Sequence, residues 1–238
     1  MDNILAIFKK EFKSYFVSPI AYVVITAFLV ITNFLFFNTF FLANQAEMRS
    51  YFEILPWVFL LFVPTITMRS WSEERKGKTL ELLLTWPVSD FQVVIGKFIA
   101  AFSFLSVAIL LSVSIPITLA LIGKPDMGPI VGSYIGALLM GAAYIAIGMW
   151  VSSYTENQII AFILSGVAIL FLLLIGIPFL TMALPREIQP FLSYLGLGNH
   201  FDSIQRGVID SRDILYYLST IGFFLFLNIQ SLASRKWE

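Results

Sequence analysis

Residues 72–87 read SEERKGKTLELLLTWP, and their reading decides between two kinds of molecule. Gly77-Lys78-Thr79 invites a phosphate-binding loop on a soluble nucleotide-binding fold, whereas the apolar runs on either side, 54–68 and 98–122, invite a charged connection between membrane spans. A phosphate loop has the spacing G-x-x-x-x-G-K-[ST], a glycine-rich turn whose backbone N–H groups wrap the phosphate. Here Ser72 stands where the first glycine belongs, Glu73 and Glu74 sit where phosphate would lie, and no strand is expected before them. The stretch therefore reads as a connection and not as an ATP site.

Composition agrees. Of 238 residues, 58% are hydrophobic and 13% charged, with a mean hydropathy of +0.86; soluble domains average about 45–50% apolar and about 25% charged residues. This balance predicts an all-α polytopic membrane protein. A net charge of zero carries no nucleic-acid footprint. With no cysteine, disulfides and Cys-based metal sites are excluded.

A membrane-crossing helix needs about 20 apolar residues. Six windows qualify as spans: 20–42, 54–68, 98–122, 130–151, 159–180 and 214–232. The second is only 15 residues with Pro56 and Pro64 inside it, so its helix is expected to extend beyond the apolar run. The first follows Lys9, Lys10 and Lys13 and is too long for a signal-peptide core, which makes it a retained span. With the amino terminus placed inside, ten of the 15 Lys and Arg residues fall on inside segments, among them Arg69, Arg75, Lys76, Lys78 and Lys97. The outside segments hold Arg49, Lys124, Arg186, Arg206 and Arg212. The positive-inside rule thus places both termini in the cytoplasm. The whole chain, 1–238, reads as one transmembrane domain with three special parts: residues 1–18, the cytoplasmic connection 69–97 and the external loop 181–213.

In residues 1–18, Ile4, Leu5, Phe8, Phe12, Tyr15 and Phe16 recur at helical spacing with Lys9, Lys10 and Lys13 off that stripe. Apolar side chains can sink to the acyl boundary while ammonium groups stay among headgroups, which predicts an interfacial helix entering the bilayer at Ser18-Pro19. The alternative is a basic tail that only sets orientation. No Asp, Glu, Lys, Arg or His lies inside the six windows. Ionisable groups at membrane depth mark proton relays and ion coupling, and intramembrane metal sites need His and carboxylate ligands, so a secondary transporter and a metalloenzyme are both disfavoured. Asn33 and Asn38 are polar enough to seek partners in the bilayer; they line a substrate path or serve helix packing. A triad drawn from Ser203, His200 and Asp202 has no support from sequence adjacency, and His200 is expected to pack the external loop, with Gly207 ending a short helix and Asp210 with Asp213 capping the last span.

Within the opening stretch, Leu80, Leu83 and Leu84 share one face of a short helix with Glu81 and Thr85 elsewhere around it, and Pro87 stops it. Such a helix either seats in a soluble partner's groove or is an amphipathic connector.

The order of amino-terminal helix, six spans and a connection SEERKGKTLELLLTWPVSDFQVVIGK between spans two and three resembles the ABC-2 type permeases of bacterial ABC transporters. In that family an acidic-basic run is followed by T-[LI]-E-L-L-L-x-x-P-[VL] and, further on, G-K. Glu74, Thr79, Glu81, Leu82, Leu83, Leu84, Pro87, Val88, Gly96 and Lys97 fit that pattern. The family usually has glycine directly before the threonine, where this chain has Lys78. The external NHFDSIQRGVIDSRDILYYLS resembles the gliding-motility and nitrous-oxide-reductase-maturation branches. The resemblance implies a non-catalytic permease in the bacterial inner membrane, with no cofactor of its own. ATP and Mg would belong to a partner ABC ATPase seated on Glu74, Thr79, Leu80, Glu81, Leu82, Leu83, Leu84 and Pro87. A second permease, identical or paralogous, would complete the pore, and the family is associated mostly with export. Two rivals remain: a scaffold that uses an ABC ATPase for mechanical work on envelope partners, and a membrane-embedded enzyme.

Overall fold

The computed structural model describes residues 2–43, 47–79, 88–123, 125–177, 185–207 and 210–234. Among them are eleven helices and no strand. We number them α1 (Asp2–Val17), α2 (Pro19–Ala43), α3 (Arg49–Thr67), α4 (Arg69–Lys76), α5 (Asp90–Leu111), α6 (Ser114–Ile122), α7 (Met127–Ser152), α8 (Gln158–Leu174), α9 (Gln189–Leu195), α10 (Leu197–Gln205) and α11 (Ser211–Ala233).

Five segments are long and apolar enough to cross a membrane: Pro19–Phe40, Arg49–Lys76, Asp90–Ile122, Met127–Ser152 and Ser211–Ala233. Four of the six expected windows lie wholly within them, and the first, 20–42, does so as far as residue 40. The remaining window, 159–180, holds the shorter apolar helix α8, and its last residues, 178–180, lie outside the described ones. The second window does extend, as its shortness required. α3 begins at Arg49, and Met68 keeps helical torsions of −55° and −28° into α4, its N–H bonded to Pro64 O at 2.8 Å.

Helix starts are fixed by side chains that accept the first free N–H groups. Ser89 and Gln92 form a capping box on α5. Asp126, Asn157 and Asp210 accept from Gly128, Ile159 and Arg212 at 3.1, 2.9 and 2.9 Å. The α5–α6 break has its cause in Pro116, which has no N–H for Ser112 O. That carbonyl instead accepts from Ile115 N–H at 3.0 Å and from the Tyr134 hydroxyl at 3.1 Å.

α7 is the hub, packed against α3, α5, α8, α10 and α11. Its small residues make that possible, because without a hydrophobic drive between helices in lipid it is close backbone approach that earns contact. A Cβ on Gly148 would stand 2.2 Å from Thr67 Oγ1, and one on Gly141 2.3 Å from Leu105 Cδ2.

At the end of the molecule where α11 begins, His200 of α10 is buried, its Nδ1 2.6 Å from Asp213 Oδ1 and its Nε2 2.8 Å from Tyr194 O. The Tyr216 ring stacks on it at 3.8 Å. Asp202 meets Gln205 instead, so Ser203, His200 and Asp202 do not form a triad; His200 packs the loop. Gly207 ends α10 with φ +84°, in the left-handed region where glycine is unstrained. The expected capping box on the last helix is only half present: Asp210 caps α11, but Asp213 turns to His200.

Candidate functional site

The opposite end carries α1, α4, the start of α5 and the residues that bracket 80–87. The helix of α5 starts at Asp90, eight residues ahead of the apolar window at Phe98, and this places Lys97 inside a helix and buried, 4% exposed. The six apolar windows hold no ionisable residue, as expected, but the helices that carry them run past the windows, and on α5 that extension brings Lys97 into the packed interior. The apolar count missed it because it began where the charges stopped.

Lys97 Nζ lies 2.9 Å from Glu11 Oε1 of α1 and 2.9 Å from Glu74 Oε1 of α4. It also stands over the fully buried Trp71 ring of α4, 5.1 Å from its centroid. A buried ammonium is costly unless paired and hydrogen-bonded, and here one cation joins carboxylates from two other helices. Gly96 next to it supplies the room. A Cβ at Gly96 would be 2.7 Å from Ile7 Cγ2 and 3.3 Å from Ile4 O, so α1 presses on α5 at this residue.

The neighbour relations make α1 more than a surface helix. Ile7, Glu11 and Tyr15, at spacings of four, face the bundle: Ile7 meets Gly96, Glu11 meets Lys97, and Tyr15 stacks on Phe104 at 5.0 Å. The Phe8, Phe12 and Phe16 rings run beside them at 5.5 and 5.0 Å. The expected stripe named Tyr15 and the three phenylalanines but passed over Ile7 and Glu11.

α4 is bound to the bundle on its other side. Trp71 N–H donates to Ser152 Oγ at 3.3 Å, and that hydroxyl donates on to Met68 O at 3.1 Å. Arg75 donates to Ser153 O at 2.7 Å, and Ser153 and Ser231 hydroxyls lie 2.8 Å apart, bringing in α11.

Of the residues expected to meet an ATPase, Glu74 thus serves the ion cluster, with its second oxygen buried and without a hydrogen-bond partner among the described residues. Thr79 is exposed, its hydroxyl donating to Glu74 O at 3.2 Å. Leu80, Glu81, Leu82, Leu83, Leu84 and Pro87 lie outside the described residues. Lys78 has φ +53°, and Gly77 an ordinary −79°. The left-handed residue directly before Thr79 is therefore the one where the ABC-2 pattern usually has glycine, and Lys78 occupies it. Asn33 donates to Leu29 O of its own helix at 2.6 Å, while Asn38 is exposed on α2.

Sequence reasoning missed Glu11 and took Lys97 only as an inside cation and as part of the G-K pair of the family pattern. The available signal was the one glutamate of a basic helix, set between Lys10 and Lys13 and four residues after Ile7, together with the G-K pair at 96–97.

Compared with known families, the model for the ABC-2 family transporter protein matches residues 58–232. The chain belongs to that family. A comparison with curated proteins gives no match. As an ABC-2 membrane domain with several helices able to cross a bilayer, the chain is a multi-pass membrane protein and a transporter permease. The match spans Lys97 and Glu74 and leaves α1, with Glu11, outside it.

Proposed function

We propose that this chain is the permease subunit of an ATP-driven exporter of the bacterial cytoplasmic membrane. A separate ABC ATPase binds ATP and Mg, and two permeases, identical or paralogous, form the pore. In this reading α8, with residues beyond Leu174, makes a sixth crossing, both termini are cytoplasmic, and α1 lies at the membrane surface. Asn33 and Asn38 of α2 face the path between the two permeases.

The observation that carries the reading is the Glu11–Lys97–Glu74 cluster at the two ends of the 80–87 connection. A partner that seats on Leu80–Pro87 pulls on Thr79 at one end and Val88 at the other. Through Glu74 and Lys97 the pull reaches α4 and α5, and through Glu11 it reaches α1. ATP acts by favouring the closed pair of ATPases, since a ligand shifts an equilibrium only by its differential affinity for the two states. The external α9–α10 segment keeps a second reading, a scaffold doing mechanical work of the gliding-motility kind.

The test replaces Leu83 by Asp or Glu81 by Lys, each of which puts an unpaired or repelled charge at the docking contact. The permease should insert in normal amount and lose its ATPase on detergent purification. Retention of a fully coupled ATPase by both variants would overturn the docking assignment. Movement of a substrate into proteoliposomes on ATP addition separates the exporter from the scaffold.

A further inference from the structure

Where α1 gives way to α2 at Ser18-Pro19, a crevice of about 560 Å³ opens between α1, the first turns of α2 and the α3–α4 junction. Its mouth and its wall differ in chemistry. Its open side is lined by the exposed Lys10 and Lys13 of α1, and Ser14, Ser70 and the half-buried Arg69 of α4 line it too. The wall is Ala21 and Val24 of α2, Ile66 of α3 and Phe104 of α5.

The charges lining the crevice are not balanced from within. Glu11 is committed to Lys97 at 2.9 Å, which leaves Glu73 as the other carboxylate lining the crevice against three cations. Lys10, Lys13 and Arg69 make no ion pair among the described residues, and Arg69 Nε is buried without a hydrogen-bond partner. Burial, with Glu11 nearby, holds the Tyr15 hydroxyl above the ordinary phenol range. It stays a neutral donor, 3.4 Å from Ile66 O, and adds no negative charge. A donor buried without a partner is costly, and a planar guanidinium beside ammonium groups is suited to phosphate.

We infer that this crevice binds an anionic glycerophospholipid. Its phosphodiester is held by Arg69, Lys13 and Lys10, and one acyl chain lies along Ala21, Val24, Ile66 and Phe104. The apolar wall commits the site to a lipid and not to a soluble anion, because it belongs to helices long and apolar enough to cross the membrane. The inference rests on that membrane placement and is independent of ATPase docking.

The full-length chain, purified in a mild detergent, is titrated with phosphatidylglycerol and with phosphatidylcholine of the same acyl chains, and bound lipid is counted by native mass spectrometry. One phosphatidylglycerol should be retained at concentrations where phosphatidylcholine is not. Lys13→Gln, at an exposed side chain that leaves the fold untouched, should weaken retention about fivefold; Lys13→Gln with Arg69→Gln should abolish the preference. Lys9→Gln, which does not line the crevice, should change nothing. Equal retention of the two lipids by the unaltered chain, or a preference insensitive to Lys13→Gln, overturns the proposal. So does displacement of the lipid by millimolar inorganic phosphate, which would mark a site for free anions. None of these readouts involves an ATPase, so failure here leaves the permease reading standing.

Discussion

Lys78 shows how a single torsion can explain a departure in sequence. The helix α4 ends at Gly77, whose φ of −79° any residue adopts, and the reversal falls on Lys78 at +53°. Left-handed torsions cost a non-glycine residue on the order of 1 kcal/mol, and helix ends place glycine at this position for that reason. Lys78→Gly should therefore raise the stability of the α4 end by up to about 1 kcal/mol, while Lys78→Val, whose branched Cβ is worse off still, should lower it by about 1–2 kcal/mol. Thermal unfolding of the detergent-solubilised chain would rank Gly above Lys above Val; a reversed order would mean that the side chain of Lys78 makes up for the torsion. At Lys97 the same scale gives a larger effect. Lys97→Met leaves Glu11 and Glu74 facing each other without their cation, which should destabilise by about 3 kcal/mol. Adding Glu11→Gln and Glu74→Gln should recover most of that loss, because the penalty lies in the stranded carboxylates and not in the missing lysine. Additive losses in the triple variant would disprove the coupling.

At the scale of elements, what was legible in the sequence was whatever repeats. The apolar windows located α2, α3, α5 with α6, α7 and α11, and Pro19 and Gly207 marked ends in the expected sense. What was not legible were contacts set by a single residue: Gly96 under Ile7, Asp213 drawn from a cap to His200, and Lys97 buried ahead of its window. Periodicity reports the average face of a helix, and none of these is an average property. The packing of α1 on α5 yields the element-scale prediction. Gly96→Val would drive a branched side chain into Ile7, where even a Cβ stands 2.7 Å away. Such overpacking typically costs about 1–3 kcal/mol, and it should lift α1 and loosen Glu11 from Lys97. Limited trypsin digestion at Lys9 and Lys10 should accelerate, and Ile7→Ala in the same chain should slow it again. Unchanged digestion of Gly96→Val would show that α1 is not held at this point.

For the whole molecule, the two ends differ in kind. One end gathers α1, α4 and the ion cluster near the residues that bracket 80–87; the other gathers α9 and α10 on the start of α11, locked by His200, Asp213 and Tyr216. In the proposed reading the first end receives the ATPase, the other holds its shape, and the bilayer separates them. The chain has no cysteine, so one can be introduced at Lys78 or at Glu187, both exposed. The ten cations assigned to the α1 end by the positive-inside rule predict that Lys78→Cys in intact cells resists a membrane-impermeant thiol reagent and reacts after permeabilisation. Glu187→Cys should react in both conditions. Labelling of position 78 from outside would invert the molecule in its membrane, and the 80–87 connection would then lie on the side where no ATP-binding partner is found.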